Sequence, residues 1–142
     1  MEIRPLTQTH AVSPQIGPED MAAIRAAGFT TVINNRPDGE IPSDLHTPVM
    51  AAAAAAAGLR FVANPVVGGA ITEANVALQR EVLDTAGGPV FAYCASGNRC
   101  SIVWAMANAG RRPTDELIAT AARCGYNLEP FRDRIDGFAV QG

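Results

Sequence analysis

Short apolar segments alternate with longer, periodically apolar segments along this chain, and glycine- or proline-containing stretches separate them. Short runs rich in β-branched and aromatic residues predict strands, and runs with apolar positions three or four residues apart predict helices. The predicted strands cover residues 7–12, 29–34, 60–64 and 90–93, with the first at an edge of the sheet. The predicted helices cover residues 18–27, 47–57, 72–86, 100–109, 113–124 and 130–138.

This alternation of strands and helices predicts the fold class. It favours an α/β domain with a mainly parallel central sheet flanked by helices. The 142 residues suit a single domain, residues 1–142. In such sheets ligands bind beyond the carboxyl ends of the strands. We therefore expect the loops after Asn34, Asn64 and Tyr93 to share one face of the molecule.

The loop after the last predicted strand carries the strongest chemical signal. Cys94 follows the strand directly, and Arg99 enters the first turn of the next helix. Backbone N–H groups and the positive end of a helix favour an oxyanion in the loop and lower the pKa of a cysteine there. The thiolate is the nucleophilic form. The predicted anion-binding residues are Ala95, Ser96, Gly97, Asn98, Arg99, Cys100 and Ser101.

An alternative interpretation of Cys94 is structural. Free cysteine is often buried and packs as a small apolar residue. Ser96 and Gly97 cannot fill a core, however, and a partly buried Arg99 needs an anionic partner. The residues that follow Cys94 therefore favour a reactive cysteine over one that only packs in the core.

Composition excludes several classes of function. The net charge is −3, the pI is about 5.3 and lysine is absent, so nothing favours nucleic acid as a partner. The longest apolar stretch, residues 49–57, is too short to cross a membrane, and the N-terminus does not resemble a signal peptide. Three cysteines without regular spacing favour a reduced, cytoplasmic protein and suit no zinc site.

Three motifs, in order, carry a resemblance to a known family. They are residues 31–40 (TVINNRPDGE), the segment 58–65 and the segment 88–101. Together they resemble the beta-lactamase-hydrolase-like domain family, a bacterial group similar to protein tyrosine and dual-specificity phosphatases, over about residues 10–110. The resemblance implies a phosphatase-like fold. It also implies that Cys94 is a nucleophile that forms a cysteinyl-phosphate, and that Arg99 and the loop amides hold the phosphoryl oxygens.

The chain departs from the tyrosine phosphatase pattern at three positions. Four residues separate Cys94 from Arg99 instead of five, and four is the spacing typical of rhodanese sulfurtransferases. Tyr93 occupies the position of the histidine that precedes the phosphatase cysteine. Cys100 replaces the usual hydroxyl residue after the arginine. Cys100 could form a thiol pair with Cys94, or could simply pack at the start of a helix.

The proton donor is the least defined part of the predicted site. Such phosphatases usually place an aspartate near residues 66–69, and this segment contains no acid. Asp38 and Glu40 are the remaining loop candidates, with Asp38 assigned as the catalytic acid. Asp38 also fits an ordinary turn. Arg36 could guide an anionic substrate or pair with either acid. The two histidines lie outside the motifs and receive no catalytic role.

Three functions remain open at this stage. The first is a cysteine-dependent phosphatase that acts on a phosphorylated substrate, with protein phosphotyrosine as one candidate. The second is a rhodanese-like sulfurtransferase that carries a persulfide on Cys94. The third is a non-catalytic module that binds an oxyanion. None of them requires a metal or a cofactor, and the sequence predicts no oligomeric state.

Overall fold

A five-stranded sheet runs through the computed structural model, which describes residues 1–141. Its order is β1-β2-β5-β3-β4, and the strands are β1 (Arg4–Pro5), β2 (His10–Ser13), β3 (Thr31–Asn34), β4 (Arg60–Ala63) and β5 (Val90–Tyr93). The last four strands are parallel to one another, and β1 is antiparallel to β2. The final residues of the parallel strands lie side by side in register: Ser13, Tyr93, Asn34 and Ala63. The loops that follow β3, β4 and β5 therefore share one edge, as predicted.

Helices cover both faces of the sheet. They are α1 (Met21–Ala26), α2 (Thr47–Ala56), α3 (Glu73–Thr85), α4 (Asn98–Ala107), α5 (Thr114–Arg123) and α6 (Arg132–Gln141). Helices α1 and α2 pack on one face, and α3 to α6 contribute to the core on the other. Within residues 1–141, no helix has both the length and the apolar character that crossing a membrane would require.

Strand β5 lies in the centre of the sheet, and all four of its residues are buried. Val90 and Ala92 face the core under α3 and α4, whereas Phe91 and Tyr93 face the core under α1 and α2. An apolar strand without polar positions is expected where both faces are covered. This burial fixes the position of the loop that follows β5.

Several local signals for element ends are confirmed. The Thr72 hydroxyl accepts the Asn75 N–H at the N-terminus of α3, at 3.1 Å, and the alanine run forms the ordinary helix α2. Helix α4 begins at Asn98, two residues before its predicted start. The prediction of an edge strand at residues 7–12 is wrong in position. Strand β2 lies inside the sheet because Arg4–Pro5 pairs along its outer side.

Candidate active site

A loop of residues 94–97 joins β5 to α4 and carries Cys94 at its start. The Cys94 side chain is buried, and the Gly97 N–H donates a 3.1 Å hydrogen bond to its Sγ atom. Gly97 has a φ of 91°, in the left-handed region that favours glycine. The loop therefore curls around the Cys94 sulfur, with the N-terminus of α4 beside it.

The hydroxyl groups of Ser96 and Ser101 form hydrogen bonds with the backbone of the loop and of the first turn of α4. Ser96 Oγ accepts the Asn98 N–H at 3.2 Å, and Ser101 Oγ donates to the Gly97 carbonyl at 2.8 Å. The carbonyl of Ala95 accepts the Gln15 N–H at 3.3 Å. These bonds give Ser96 and Ser101 a role in shaping the loop, and the assignment of residues 95–101 as anion-binding stays a prediction.

The surroundings of Cys94 favour its thiolate. The neighbouring Cys100 thiol is the largest influence, and it lowers the pKa of Cys94 to about 5, with help from loop N–H groups and against burial. Burial and the neighbouring Cys94 raise the pKa of Cys100 well above its ordinary value. These directions favour a Cys94 thiolate beside a Cys100 thiol at neutral pH. The effect of Cys100 on the pKa of Cys94 is a contribution that sequence reasoning did not identify.

Arg99 presents one edge of its guanidinium to protein groups. Its Nη1 and Nη2 atoms donate to the two carboxylate oxygens of Glu40, both at 2.8 Å, and Nη1 also donates to the Val66 carbonyl at 2.8 Å. A guanidinium has five N–H groups, so the Nε–H and one Nη2–H remain. Within the described chain no group accepts from them. A free guanidinium edge of this kind has the geometry to bind two oxygens of an anion.

Glu40 joins two arginines beside the loop. Besides Arg99, its Oε1 atom accepts from Arg36 Nε at 3.3 Å, and Arg36 Nη1 donates to Gln15 Oε1 at 3.1 Å. The Arg99 hydrogen bond is the main reason that the pKa of Glu40 is lowered. The bidentate ion pair fixes the orientation of the Arg99 guanidinium, and Glu40 as the alternative proton donor stays a prediction.

Asp38 lies at the N-terminus of α2. Its Oδ1 atom accepts the backbone N–H of Thr47 at 2.9 Å and the Thr47 hydroxyl at 3.0 Å. These bonds give Asp38 a structural task at the helix end. Asp38 also lines a groove beside the loop, so its assignment as the catalytic acid stays a prediction.

The groove has a volume of about 260 Å³ and lies beyond the ends of β3 and β4. Its walls are mostly apolar, from Pro37, Ala63, Pro65 and the exposed Val67, with Arg36 and Asp38 as charged members. Strand β3 is the direct neighbour of β5 in the sheet, so the groove and the Cys94 loop lie at the same edge.

A buried amide network supports this edge of the sheet. Asn64 Nδ2 donates to Gln79 Oε1 at 2.8 Å, and Asn75 Nδ2 donates to Asn64 Oδ1 at 2.8 Å. Asn35 holds the next segment, since its carbonyl accepts the Val66 N–H at 2.9 Å. The network thereby fixes the Val66 carbonyl that receives Arg99. Sequence reasoning missed it, although asparagines directly after two neighbouring strands, β3 and β4, were a usable signal.

Tyr126 and Arg4 approach the loop from outside the motifs. The Tyr126 hydroxyl donates to the Ser96 carbonyl at 2.9 Å, and Arg4 Nη1 donates to the same hydroxyl at 2.8 Å. No local pattern marked either residue, because they are 122 positions apart in the sequence.

The histidines are away from the loop. His10 lies at the start of β2, opposite Val90, and burial lowers its pKa to about 4, so its ring is neutral. His46 Nε2 is 2.9 Å from the Ile41 carbonyl. In the part of the chain that the structure describes, no cluster of three or more His, Cys, Asp or Glu side chains could hold a metal ion.

Fold and site together define a protein of the tyrosine and dual-specificity phosphatase fold class. The chain belongs to the family described as "Beta-lactamase hydrolase-like protein, phosphatase-like domain", whose sequence model matches residues 2–111. It is 32% identical over 143 residues to a beta-lactamase hydrolase-like protein of Xylella fastidiosa (strain 9a5c). That alignment covers 99% of this chain and 33% of the relative, so the chain spans about a third of the relative's length.

Solved structures agree with this assignment. A candidate phosphatase from Neisseria meningitidis Z2491 is 36% identical, with a TM-score of 0.82 over 97% of this chain and 99% of that one. PTPMT1, crystallised in complex with PI(5)P, has a TM-score of 0.80 at 15% identity, over 98% of this chain and 95% of its own. The second likeness concerns the fold alone. The family and fold predicted from the sequence are confirmed.

Proposed function

We propose that this chain is a cysteine-dependent phosphatase that hydrolyses a phosphomonoester through a cysteinyl-phosphate on Cys94. The observation that carries the proposal is a Cys94 thiolate bound by loop N–H groups, with Arg99 close enough for the two charges to interact. The phosphatase-like family supports it. A thiolate that faces bound phosphate is a nucleophile held in position for attack.

The proposed reaction has two steps. The Cys94 sulfur attacks phosphorus in line, an S–P bond forms and the P–O bond to the leaving group breaks. The leaving oxygen takes a proton from a general acid, and we assign this role to Asp38. Water then attacks phosphorus and gives a proton to the Asp38 carboxylate, the S–P bond breaks, inorganic phosphate leaves and the thiolate is restored. The amides and Arg99 stabilise the equatorial oxygens throughout.

The apolar groove suggests the kind of substrate. Pro37, Pro65 and Val67 offer apolar surface to the organic part of a phosphoester, and Arg36 offers a charge for a second anionic group. PI(5)P, the ligand of PTPMT1, is a phosphorylated inositol lipid. Phosphotyrosine peptides and soluble phosphoinositides are therefore suitable probes. We also propose that residues 1–142 act as one phosphatase domain in a reducing, cytoplasmic setting.

Sulfur transfer is the second candidate, and the four-residue spacing between Cys94 and Arg99 favours it. In that reaction Cys94 attacks the sulfane sulfur of a donor such as thiosulfate, and a persulfide forms as sulfite leaves. A nucleophilic acceptor then takes the outer sulfur and the thiolate is restored. The same thiolate and loop N–H groups would serve both reactions. Only a measurement of turnover with each kind of substrate distinguishes the two reactions.

The test compares two substrates with two variants. Wild-type protein should hydrolyse 4-nitrophenyl phosphate and should form negligible thiocyanate from thiosulfate and cyanide. Cys94→Ser should abolish hydrolysis, since a serine hydroxyl is a far weaker nucleophile at neutral pH. Cys124→Ser is the matched control, because Cys124 contacts the Pro5 carbonyl at 3.1 Å, outside the loop.

Each outcome has one meaning. Hydrolysis that survives Cys94→Ser removes Cys94 as the nucleophile. Thiocyanate formation without hydrolysis supports the sulfurtransferase. Phosphate binding, measured by calorimetry, with neither reaction supports the non-catalytic module.

A further inference from the structure

The peptide bond between Ser96 and Gly97 is held from both sides. Its carbonyl oxygen accepts the Tyr126 hydroxyl at 2.9 Å, and its N–H donates to the Cys94 sulfur at 3.1 Å. A trans peptide is planar, so its C=O and N–H groups point in nearly opposite directions. A group that fixes the carbonyl therefore also aims the N–H at the sulfur.

The direction of the hydrogen bonds at Tyr126 is determined by its neighbours. Arg4 Nη1 can only donate, and the Ser96 carbonyl can only accept. The Tyr126 hydroxyl must therefore accept from Arg4 and donate to Ser96. The result is a chain in which every proton points from Arg4 toward the Cys94 sulfur.

Tyr126 is firmly placed for this task. Its side chain is buried, and its N–H donates to the Ala121 carbonyl at the end of α5, at 3.1 Å. A Cβ atom at Gly97 would collide with the Tyr126 hydroxyl. Gly97 is thus required both by its positive φ and by the close approach of the tyrosine.

We propose that Tyr126, backed by Arg4, is a positioning residue for the Cys94 thiolate. It orients the Ser96–Gly97 peptide so that the Gly97 N–H faces the sulfur. Hydrogen bonds in a chain polarise one another, so Arg4, which is itself paired with the Glu2 carboxylate, also strengthens the N–H as a donor. The proposal deepens the proposed function, on which it rests for its catalytic meaning.

The expected effect has a defined sign. The hydrogen bond from Gly97 stabilises the anion, so its weakening raises the pKa of Cys94. For Tyr126→Phe we expect a rise of about 0.5–1 pH unit, since the Cys100 thiol and the other loop amides still act. Hydrolysis near pH 5 should then fall more than hydrolysis at pH 7.5.

The measurement is the rate of Cys94 alkylation by iodoacetamide as a function of pH, followed by mass spectrometry of the Cys94 peptide. Every protein in this experiment also carries the Cys124→Ser substitution. Cys100 stays a buried thiol over the pH range of the measurement. Tyr93→Phe is the matched control: it also removes one buried tyrosine hydroxyl, and that hydroxyl has no hydrogen-bond partner among residues 1–141. The midpoint pH of Cys94 alkylation should rise in Tyr126→Phe and should stay unchanged in Tyr93→Phe.

Arg4→Met is a second variant, chosen because Arg4 is about a third exposed and its loss should spare the core. It should raise the midpoint by less than Tyr126→Phe, since solvent screens the charge. Arg25→Met is its control, because the only side-chain hydrogen bond that Arg25 makes within residues 1–141 is a 3.4 Å contact with the Phe29 carbonyl. Unchanged midpoints in both the Tyr126 and Arg4 variants would overturn the proposal.

Alkylation does not depend on turnover, so the two proposals can fail separately. If the wild-type protein hydrolyses no phosphoester but the midpoint still rises in Tyr126→Phe, the positioning role stands and the proposed function fails. If hydrolysis occurs and the midpoint does not move, only the positioning role fails.

Discussion

The loop at Cys94 and the groups that surround it differ in how far apart their residues lie in the sequence. Inside the loop, Cys94 and Gly97 bind each other three positions apart. Outside it, Glu40 reaches Arg99 across 59 positions, and Tyr126 reaches Ser96 across 30. The nucleophile is thus a local structure, while the orientation of its anion-binding groups depends on distant parts of the chain. Variants in the two regions should therefore fail in different ways.

Arg99→Lys should cause the largest loss of 4-nitrophenyl phosphate hydrolysis after removal of Cys94 itself. Lysine keeps the charge and loses the planar fork, so it cannot hold Glu40 and two phosphate oxygens together. We expect kcat/KM for 4-nitrophenyl phosphate to fall by about 10²–10³-fold, and inhibition by inorganic phosphate to weaken. Arg111→Lys is the control, because Arg111 forms a similar bidentate pair with Asp84 on the surface. Equal phosphate affinity in Arg99→Lys and wild type would contradict the bidentate role.

Asp38→Asn tests the proton donor through the leaving group. A nitrophenolate departs without protonation, whereas an alkoxide needs a proton, and general acids typically contribute about 10²–10⁴-fold. An alkyl phosphate should therefore be slowed far more than 4-nitrophenyl phosphate. If hydrolysis of both substrates is slowed equally, Asp38 is not the proton donor. Its role is then the structural one of its hydrogen bonds with Thr47.

Glu40→Gln should have an intermediate effect. The amide keeps the size of the side chain, but its NH₂ group faces an N–H of Arg99 where a carboxylate oxygen had accepted. Arg99 should lose its fixed orientation, and kcat/KM should drop about tenfold, the equivalent of one charge-assisted hydrogen bond. The exposed Glu81→Gln provides the control. Higher activity in Glu40→Gln would mean that Glu40 competes with substrate for Arg99.

Cys100→Ser should change turnover least, because a serine hydroxyl can still donate to the Cys94 thiolate. Its effect should appear under oxidation. Peroxide converts Cys94 to a sulfenic acid, which condenses with the Cys100 thiol to give a disulfide and water. Thiol treatment should restore the wild type and should fail to restore Cys100→Ser. Identical recovery would leave Cys100 with hydrogen bonding and packing as its roles.

The same contrast explains what the sequence could predict. Strand β5, the loop and the start of α4 were recognisable because their signals lie within a dozen neighbouring residues. Thr72 was recognisable for the same reason. The pairing of Glu40 with Arg99 and the approach of Tyr126 had no local signal, since the folded sheet creates both contacts. Strand β2 was misplaced because the two residues of β1, which cover its edge, carry no strand pattern of their own.

The central claim is that Cys94 becomes phosphorylated during turnover, and trapping this intermediate tests it most directly. Protein mixed with excess 4-nitrophenyl phosphate is quenched in acid within milliseconds and analysed by peptide mass spectrometry. We expect one phosphoryl group on Cys94 of the wild type and none on Cys94→Ser. A phosphoryl group on another residue, or steady hydrolysis with an unmodified Cys94 at every quench time, would contradict it.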